Sequence, residues 1–389
     1  MGIKHPVYLD HNATTAVCPA VRKAVACALD MTGNASSVHG PGRAARKVIE
    51  DARDRVAALV GARSADVVFT SGGTEANNLA IRGLQQGSGR TRVLASAVEH
   101  TSVLKAAPDI ETIPVDSEGV VDLLALDTML SEPSSANGTG PALVSVMLAN
   151  NETGVIQPVA EVAAVARRHG ALVHCDAVQA VGKMPVDIAA LGVHMMSLSA
   201  HKIGGPAGVG ALVLAEDLAH STTLSALILG GGQERGRRAG SENLPGIVGF
   251  GVAAEEALKN LPKITNLAGW RDRIEDELGR HAGVRVFSGG APRLANTCCL
   301  TMPGIAADRQ IIAFDLAGIA LSAGAACSSG KVESSHVLAA MGVAVDEADT
   351  AIRVSFGWNT TNQDIDAFLT TWDDIYARAK AVIKDVEAA

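Results

Sequence analysis

The sequence has no CxxC pair, and its six cysteines (Cys18, Cys27, Cys175, Cys298, Cys299 and Cys327) show no spacing that would frame disulfides. That sets aside a secreted disulfide scaffold, a zinc site and a cysteine-ligated cluster, and it fits a reducing compartment. Basic residues are not in excess: the formal net charge is -8, so there is no general attraction to nucleic acid or to an anionic membrane, and any anion must be held locally. Long apolar runs are missing as well. Runs such as Ala142 to Ala149 fall far short of the roughly 20 residues a membrane span needs. The opening MGIKHPVYLDHNATT has no continuous apolar core of a signal peptide. The expectation is a soluble, cytoplasmic protein with no membrane and no nucleic-acid partner. No internal repeat is present, and SEPSSANGTGP (131–141) reads as an exposed loop.

What is present is enough apolar material for more than one core. The chain has 389 residues, 48% of them hydrophobic, which predicts two domains. Short apolar runs alternate with amphipathic stretches: VVFT (67–70), RVLASA (92–97), ALVSVMLA (142–149), ALVHC (171–175), HMMSLSA (194–200) and VGALVLA (209–215). This alternation predicts an α/β domain whose mostly parallel sheet is flanked by helices and buried on both faces. Pro158 to His169 is one such helix: Val159, Val162, Ala163, Val165 and Ala166 share a side, and Gly170 stops it. Near Phe250 the texture changes to helical stretches at Val252–Leu261 and Trp270–His281, then strands near VRVFS, NTCCLTM and AIRVSF. We expect a large domain over 16–255 and a smaller α+β domain formed by 1–15 and 256–389.

In parallel sheets ligands collect beyond the carboxyl ends of the strands, and there this chain is polar. VVFT is followed by Ser71-Gly72-Gly73-Thr74-Glu75, where glycines admit a ligand to the backbone and a helix start favours phosphate. Alone this is equally a capped glycine turn. Neither a Gly-Lys-Ser/Thr nor a GxGxxG accompanies it, so nucleotide hydrolysis and a nicotinamide fold are not supported. RVLASA leads to Glu99-His100-Thr101-Ser102, ALVSVMLA to Asn150-Asn151-Glu152-Thr153-Gly154, and ALVHC to Asp176 with Gln179 three residues on. An aspartate after a valine-rich strand is costly unless a cation or strong donor meets it.

The most informative stretch is SLSAHKIGGPAGVG (197–210), which sets Lys202 between His201 and a glycine cluster. Surface loop, anion clamp and covalent catalyst all fit the lysine by itself. With an aspartate for a ring nitrogen, a histidine for a flat ring and hydroxyls for phosphate, the set supplies the parts of a pyridoxal phosphate site, in which the lysine forms a Schiff base.

From DHNATT (10–15) to RVSFG (353–357) the chain resembles the NifS/IscS-like cysteine desulfurases, class V aminotransferases among the fold-type I pyridoxal phosphate enzymes. SGGTEANN, VEHTSV, LANNETG, HCDAVQ, SLSAHKIGGP, GGGQERGRRAGSEN and GAACSSG carry the resemblance, in the family's order. It implies pyridoxal 5'-phosphate as cofactor, Lys202 as Schiff-base lysine, Asp176 as partner of the pyridine nitrogen, His100 as a stacking and proton-transfer residue, and Gln179 as donor to the phenolic oxygen. It places Gly73, Thr74, Ser199 and His201 at the phosphate, together with Ser241 from across a homodimer interface, where most relatives carry threonine. Asn151 and Arg353 would hold the carboxylate of L-cysteine, and Cys327 would accept its sulfur as a persulfide. No metal is implied. The other five cysteines read as structural, Cys298 and Cys299 as strand residues.

The CSSG form resembles members that pass persulfide to iron–sulfur scaffolds. Glu333-Ser334-Ser335-His336 replaces the family's Glu-Pro-Ser-His, implying a freer loop end, and the ending after VIKDVEAA, without an extended tail, favours a NifS-like assignment. The expected activity is cysteine desulfuration feeding an iron–sulfur scaffold or another sulfur acceptor. A selenocysteine lyase or another class V transaminase is the alternative.

Overall fold

The computed structural model describes residues 6–88, 92–132, 142–215, 218, 224–324 and 334–387. In chain order the strands are β1 (Val7–Tyr8), β2 (Val67–Thr70), β3 (Val93–Ser96), β4 (Ile110–Ile113), β5 (Leu143–Ser145), β6 (Leu172–Asp176), β7 (Met195–Ser199), β8 (Gly210–Leu214), β9 (Thr297–Thr301), β10 (Ile319–Ala320), β11 (Ser322–Ala323) and β12 (Ala351–Ser355). Seven form one sheet in the order β2-β8-β7-β6-β5-β3-β4. Neighbours are parallel except around β8, which runs antiparallel to both β2 and β7.

Both faces of this sheet are covered, which is why its strands read as unbroken apolar runs rather than as alternating ones. Val67, Phe69, Leu94 and Val144 enter one cluster, with the helices Gly40–Leu59, Val159–Arg168 and Leu244–Thr265. Val68, Val93, Ala95 and Leu143 enter the opposite one, against the helical run that begins at Gly73. The predicted helix at 158–169 is found at Val159–Arg168, and Gly170 follows it in the left-handed region at φ +65°.

A separate apolar cluster surrounds the three-stranded sheet β11-β12-β9. Helices Ala268–Leu278, Ala307–Leu316 and Asn362–Glu387 supply Ile274, Phe314, Phe368 and Trp372 to it. Phe314 and Phe368 stack at 5.4 Å between centroids. The N-terminal arm joins this cluster: β1 pairs parallel with β10, and Leu9 is fully buried in it. Helix Leu244–Thr265 connects the two cores, giving Ile247, Phe250, Ala253 and Ala254 to the first and Ile264 to the second.

Two expectations change here. The helix anticipated at Val252–Leu261 starts eight residues earlier, because Pro245 sits in its first turn and Asn243 accepts the Gly246 N–H. VRVFS does not form a strand. Val286 makes only an isolated bridge to Leu300, and the chain turns at Ser288 with φ +60°.

Candidate active site

Beyond the carboxyl ends of β3, β5, β6 and β7 lies a cavity of about 360 Å³. Ten of the residues singled out in the sequence line it: Gly73, Thr74, His100, Asn151, Asp176, Gln179, Ser199, His201, Lys202 and Arg353. They come from six separate segments: the parallel strands β3, β5, β6 and β7 lead into four of them, Gly73 and Thr74 follow β2, and Arg353 comes from β12 of the second sheet. Gly73 has to be glycine at this wall, since a Cβ there would sit 2.9 Å from the Val178 side chain. The helix that starts at Gly73 has no side-chain cap, so its first N–H groups are open to an anion. Ser241 is not brought into this cavity by its own chain; it lines a neighbouring cavity of about 250 Å³ with Gly240 and Glu242. Cys327 lies outside the described residues.

Asp176 closes β6 in a buried position, and donors meet it. Asn77 Nδ2 donates to Oδ2 at 2.7 Å, and the Val178 N–H to Oδ1 at 3.0 Å. The second Asn77 hydrogen goes to Ser102 Oγ at 2.8 Å, and Ser102 Oγ lies 2.7 Å from His100 Nδ1. The Ser102 N–H also donates to His100 Nδ1, at 3.1 Å. Nδ1 is therefore an acceptor, and the ring proton sits on Nε2. Burial, with help from Lys202 and His336, pushes the His100 pKa down against the pull of Asp176, so the imidazole is neutral.

Positive charge dominates the remaining lining. Lys202 Nζ donates to the carbonyls of Asn12 at 2.5 Å and Ala13 at 2.8 Å. Arg353, on β12, donates to Asp10 Oδ1 at 2.7 Å and to the Asn151 carbonyl at 3.0 Å. Its Nε is buried without a hydrogen-bond partner among the described residues, and the residue lines the cavity as a fixed cation. Burial first, then Lys202 and Lys183, lowers His201 to about 4. Such a surplus of donors and cations fits a phosphate-bearing, carboxylate-bearing occupant.

Several residues were given no role from sequence. Asn12 is the hub: its carbonyl accepts from Lys202 and from Gln179 Nε2, its Oδ1 from Lys183, and its Nδ2 donates to Thr297 and to the Asn151 carbonyl. Lys183 bonds Asn12 directly and Asp10 bonds Arg353, which shares the Asn151 carbonyl with Asn12, while Asn77 and Ser102 form a second chain that links Asp176 to His100. Their signal was modest: the polar run DHN near the N-terminus and the asparagines after SGGTEA. Glu152 is fully buried and accepts from the Ser335 hydroxyl at 2.6 Å, while His336 Nε2 is 2.9 Å from the Glu99 carbonyl. Ser335 also accepts the Leu338 N–H to cap the following short helix.

The model of the aminotransferase class-V family matches residues 7–368, and the chain belongs to that family. Within it, the chain is similar to cysteine desulfurases. It is 43% identical to the cysteine desulfurase of Sinorhizobium fredii over 94% of this chain and 95% of that protein. It is 39% identical to the IscS-like cysteine desulfurase of Mycobacterium tuberculosis over 96% and 97%. The X-ray structure of the NifS-like protein from Rickettsia africae superposes with a TM-score of 0.85 at 36% identity, covering 96% of this chain and all of that one.

Proposed function

We propose that the protein is a cysteine desulfurase that uses pyridoxal 5'-phosphate to convert L-cysteine to L-alanine and to load the released sulfur onto Cys327. The observation that carries this is the meeting, in one cavity, of Lys202, Asp176, His100 and Gln179 with Arg353. The residues fit the cofactor. Lys202 would bond its aldehyde, Asp176 would face its ring nitrogen, His100 its ring face and Gln179 its phenolic oxygen. Gly73, Thr74, Ser199 and His201 would hold the phosphate, with Ser241 coming from a second copy in a homodimer. When bound, the cofactor supplies an electron sink for charge developing at the substrate's α-carbon.

Arg353 and Asn151 hold the carboxylate of L-cysteine, which aims the α-hydrogen. His100 presents Nε2–H and is a donor, so the amine of Lys202 is the group that takes the α-proton. The Cys327 thiolate attacks the substrate sulfur. An S–S bond forms, the C–S bond breaks with its electron pair staying on the β-carbon, and protonation of that carbon together with return of the proton from Lys202 to the α-carbon gives alanine. The persulfide then serves an iron–sulfur scaffold or another acceptor protein. No described helix is long and apolar enough to cross a membrane, and cytoplasmic sulfur delivery agrees with that.

The test is Cys327→Ala in the reconstituted enzyme. Loss of sulfide release from cysteine, with the visible absorbance of bound cofactor retained, supports the assignment. Release at the wild-type rate refutes the nucleophile, and keto-acid formation from alanine in its place identifies a transaminase.

A further inference from the structure

Lys183 has no part in that account, yet it is buried at 7% exposure beside the site. It ends the turn after β6, where Gly182 takes φ +72° and has no room for a Cβ, with Ile203 2.9 Å away. The charged groups acting on it are Lys202 and Arg353, both cations, and burial and these two hold its ammonium well below the usual range. His11 and His201 face it as well. Of the carboxylates nearby, Asp10 is engaged by Arg353, and Glu256 lines the cavity that Lys183 and Lys202 share on this side. A buried amine set among cations is costly, and the two hydrogen bonds it makes are specific.

Lys183 Nζ donates to Gln179 Oε1 at 2.6 Å and to Asn12 Oδ1 at 2.9 Å. A lysine offers donors, so the Gln179 atom beside it is the amide oxygen, which turns the Gln179 NH₂ the other way. One of its hydrogens goes to the Asn12 carbonyl at 2.8 Å, and the second remains for the cavity that Gln179 lines. The same Asn12 carbonyl receives Lys202 Nζ.

We propose that Lys183 is a positioning residue for this site: it fixes the Gln179 amide with its N–H toward the cavity and holds Asn12 under the amine of Lys202. This rests on the pyridoxal phosphate reading above. Without Lys183 the amide is free to turn, and the phenolic oxygen loses a donor and binds a proton more tightly. Any positive charge on Lys183 acts in the same sense, because it disfavours a proton on the nitrogen of Lys202.

The experiment is a pH titration of the visible band of the full-length protein reconstituted with pyridoxal 5'-phosphate, comparing wild type, Lys183→Met and Lys183→Arg. Lys183→Met should raise the midpoint by about one pH unit, a tenfold change in the equilibrium. Lys183→Arg, which keeps the donors, should stay within a few tenths. A Lys183→Met midpoint unchanged within about 0.2 unit, with or without a lower melting temperature, overturns the proposal, because a purely structural side chain alters stability and leaves this titration alone. If Lys183→Met does not fold, Lys183→Leu, which also removes the donors, is judged by the same criterion. A wild-type protein that shows no visible band sinks the cofactor reading and this inference with it; a wild-type band with an unmoved variant sinks this inference alone.

Discussion

His174 links the centre of the sheet to the acid stability of the protein. It is fully buried on β6, with Nδ1 2.9 Å from Ser145 Oγ on β5 and Nε2 2.9 Å from Ser197 Oγ on β7. A neutral imidazole satisfies both hydroxyls, one as donor and one as acceptor. Burial lowers its pKa from 6.5 to about 4, with Asp176 pulling weakly the other way. The folded value is below the unfolded one, so between these limits the unfolded chain holds more protons. The stability contribution is complete above pH 6.5 and is lost as pH falls toward 4. A difference of about 2.5 pH units at about 1.4 kcal/mol each makes the full loss about 3.5 kcal/mol. His174→Gln keeps polar atoms near both hydroxyls and does not titrate. At pH 7.5 it should cost about 1–2 kcal/mol through imperfect hydrogen bonding. By pH 4.5 that gap should close or reverse, since wild type carries the acid penalty and the variant does not. Urea unfolding at several pH values, in one cofactor state throughout, measures this, and contributions from His11 and His201 cancel between the two proteins. A gap that stays constant from pH 7.5 to 4.5 would show that His174 does not take up a proton on unfolding.

Two more outcomes are expected. Glu99 is fully buried, accepts the Met147 N–H at 2.5 Å, and is pushed well above the carboxyl range by burial and then by Asp176. Its folded form keeps a proton that the unfolded chain sheds, so it costs stability increasingly as pH rises above about 4.3, by about 1.4 kcal/mol per unit. Glu99→Gln should therefore gain more over wild type in melts at pH 8 than at pH 5, and an equal gain at both refutes a protonated Glu99. For Arg353, lysine in its place cannot present the planar fork. Arg353→Lys should raise KM for cysteine by about 10- to 100-fold, the value of one charge-assisted hydrogen bond, and an unchanged KM removes Arg353 from carboxylate binding.

The central strands were legible because both faces are buried, leaving no polar alternation to confuse the pattern. β4 was not: of IETI only Ile113 is buried, and an edge strand with a half-wet face resembles a loop. VRVFS has the composition of a strand, yet the turn at Ser288 ends its pairing after one bridge. In the site, residues that directly follow strands were found because parallel topology predicts where such ends converge. Asn12 and Lys183 were missed because their role depends on contacts across 171 positions of sequence, which no local pattern encodes. Ser241 lines a different cavity of its own chain, away from the other residues that the family resemblance assigns to the phosphate.

Asn12 also sets an order of assembly during synthesis. Its N–H donates to Ser355 Oγ, 343 residues away, and β1 beside it needs β10 as a partner. An early segment emerging from the ribosome thus waits for one of the last before it can settle beneath Lys202. Nascent chains should remain unable to capture their cofactor until translation is nearly finished, and a carboxyl-terminal truncation reaching into β12 should be pale as well as unstable.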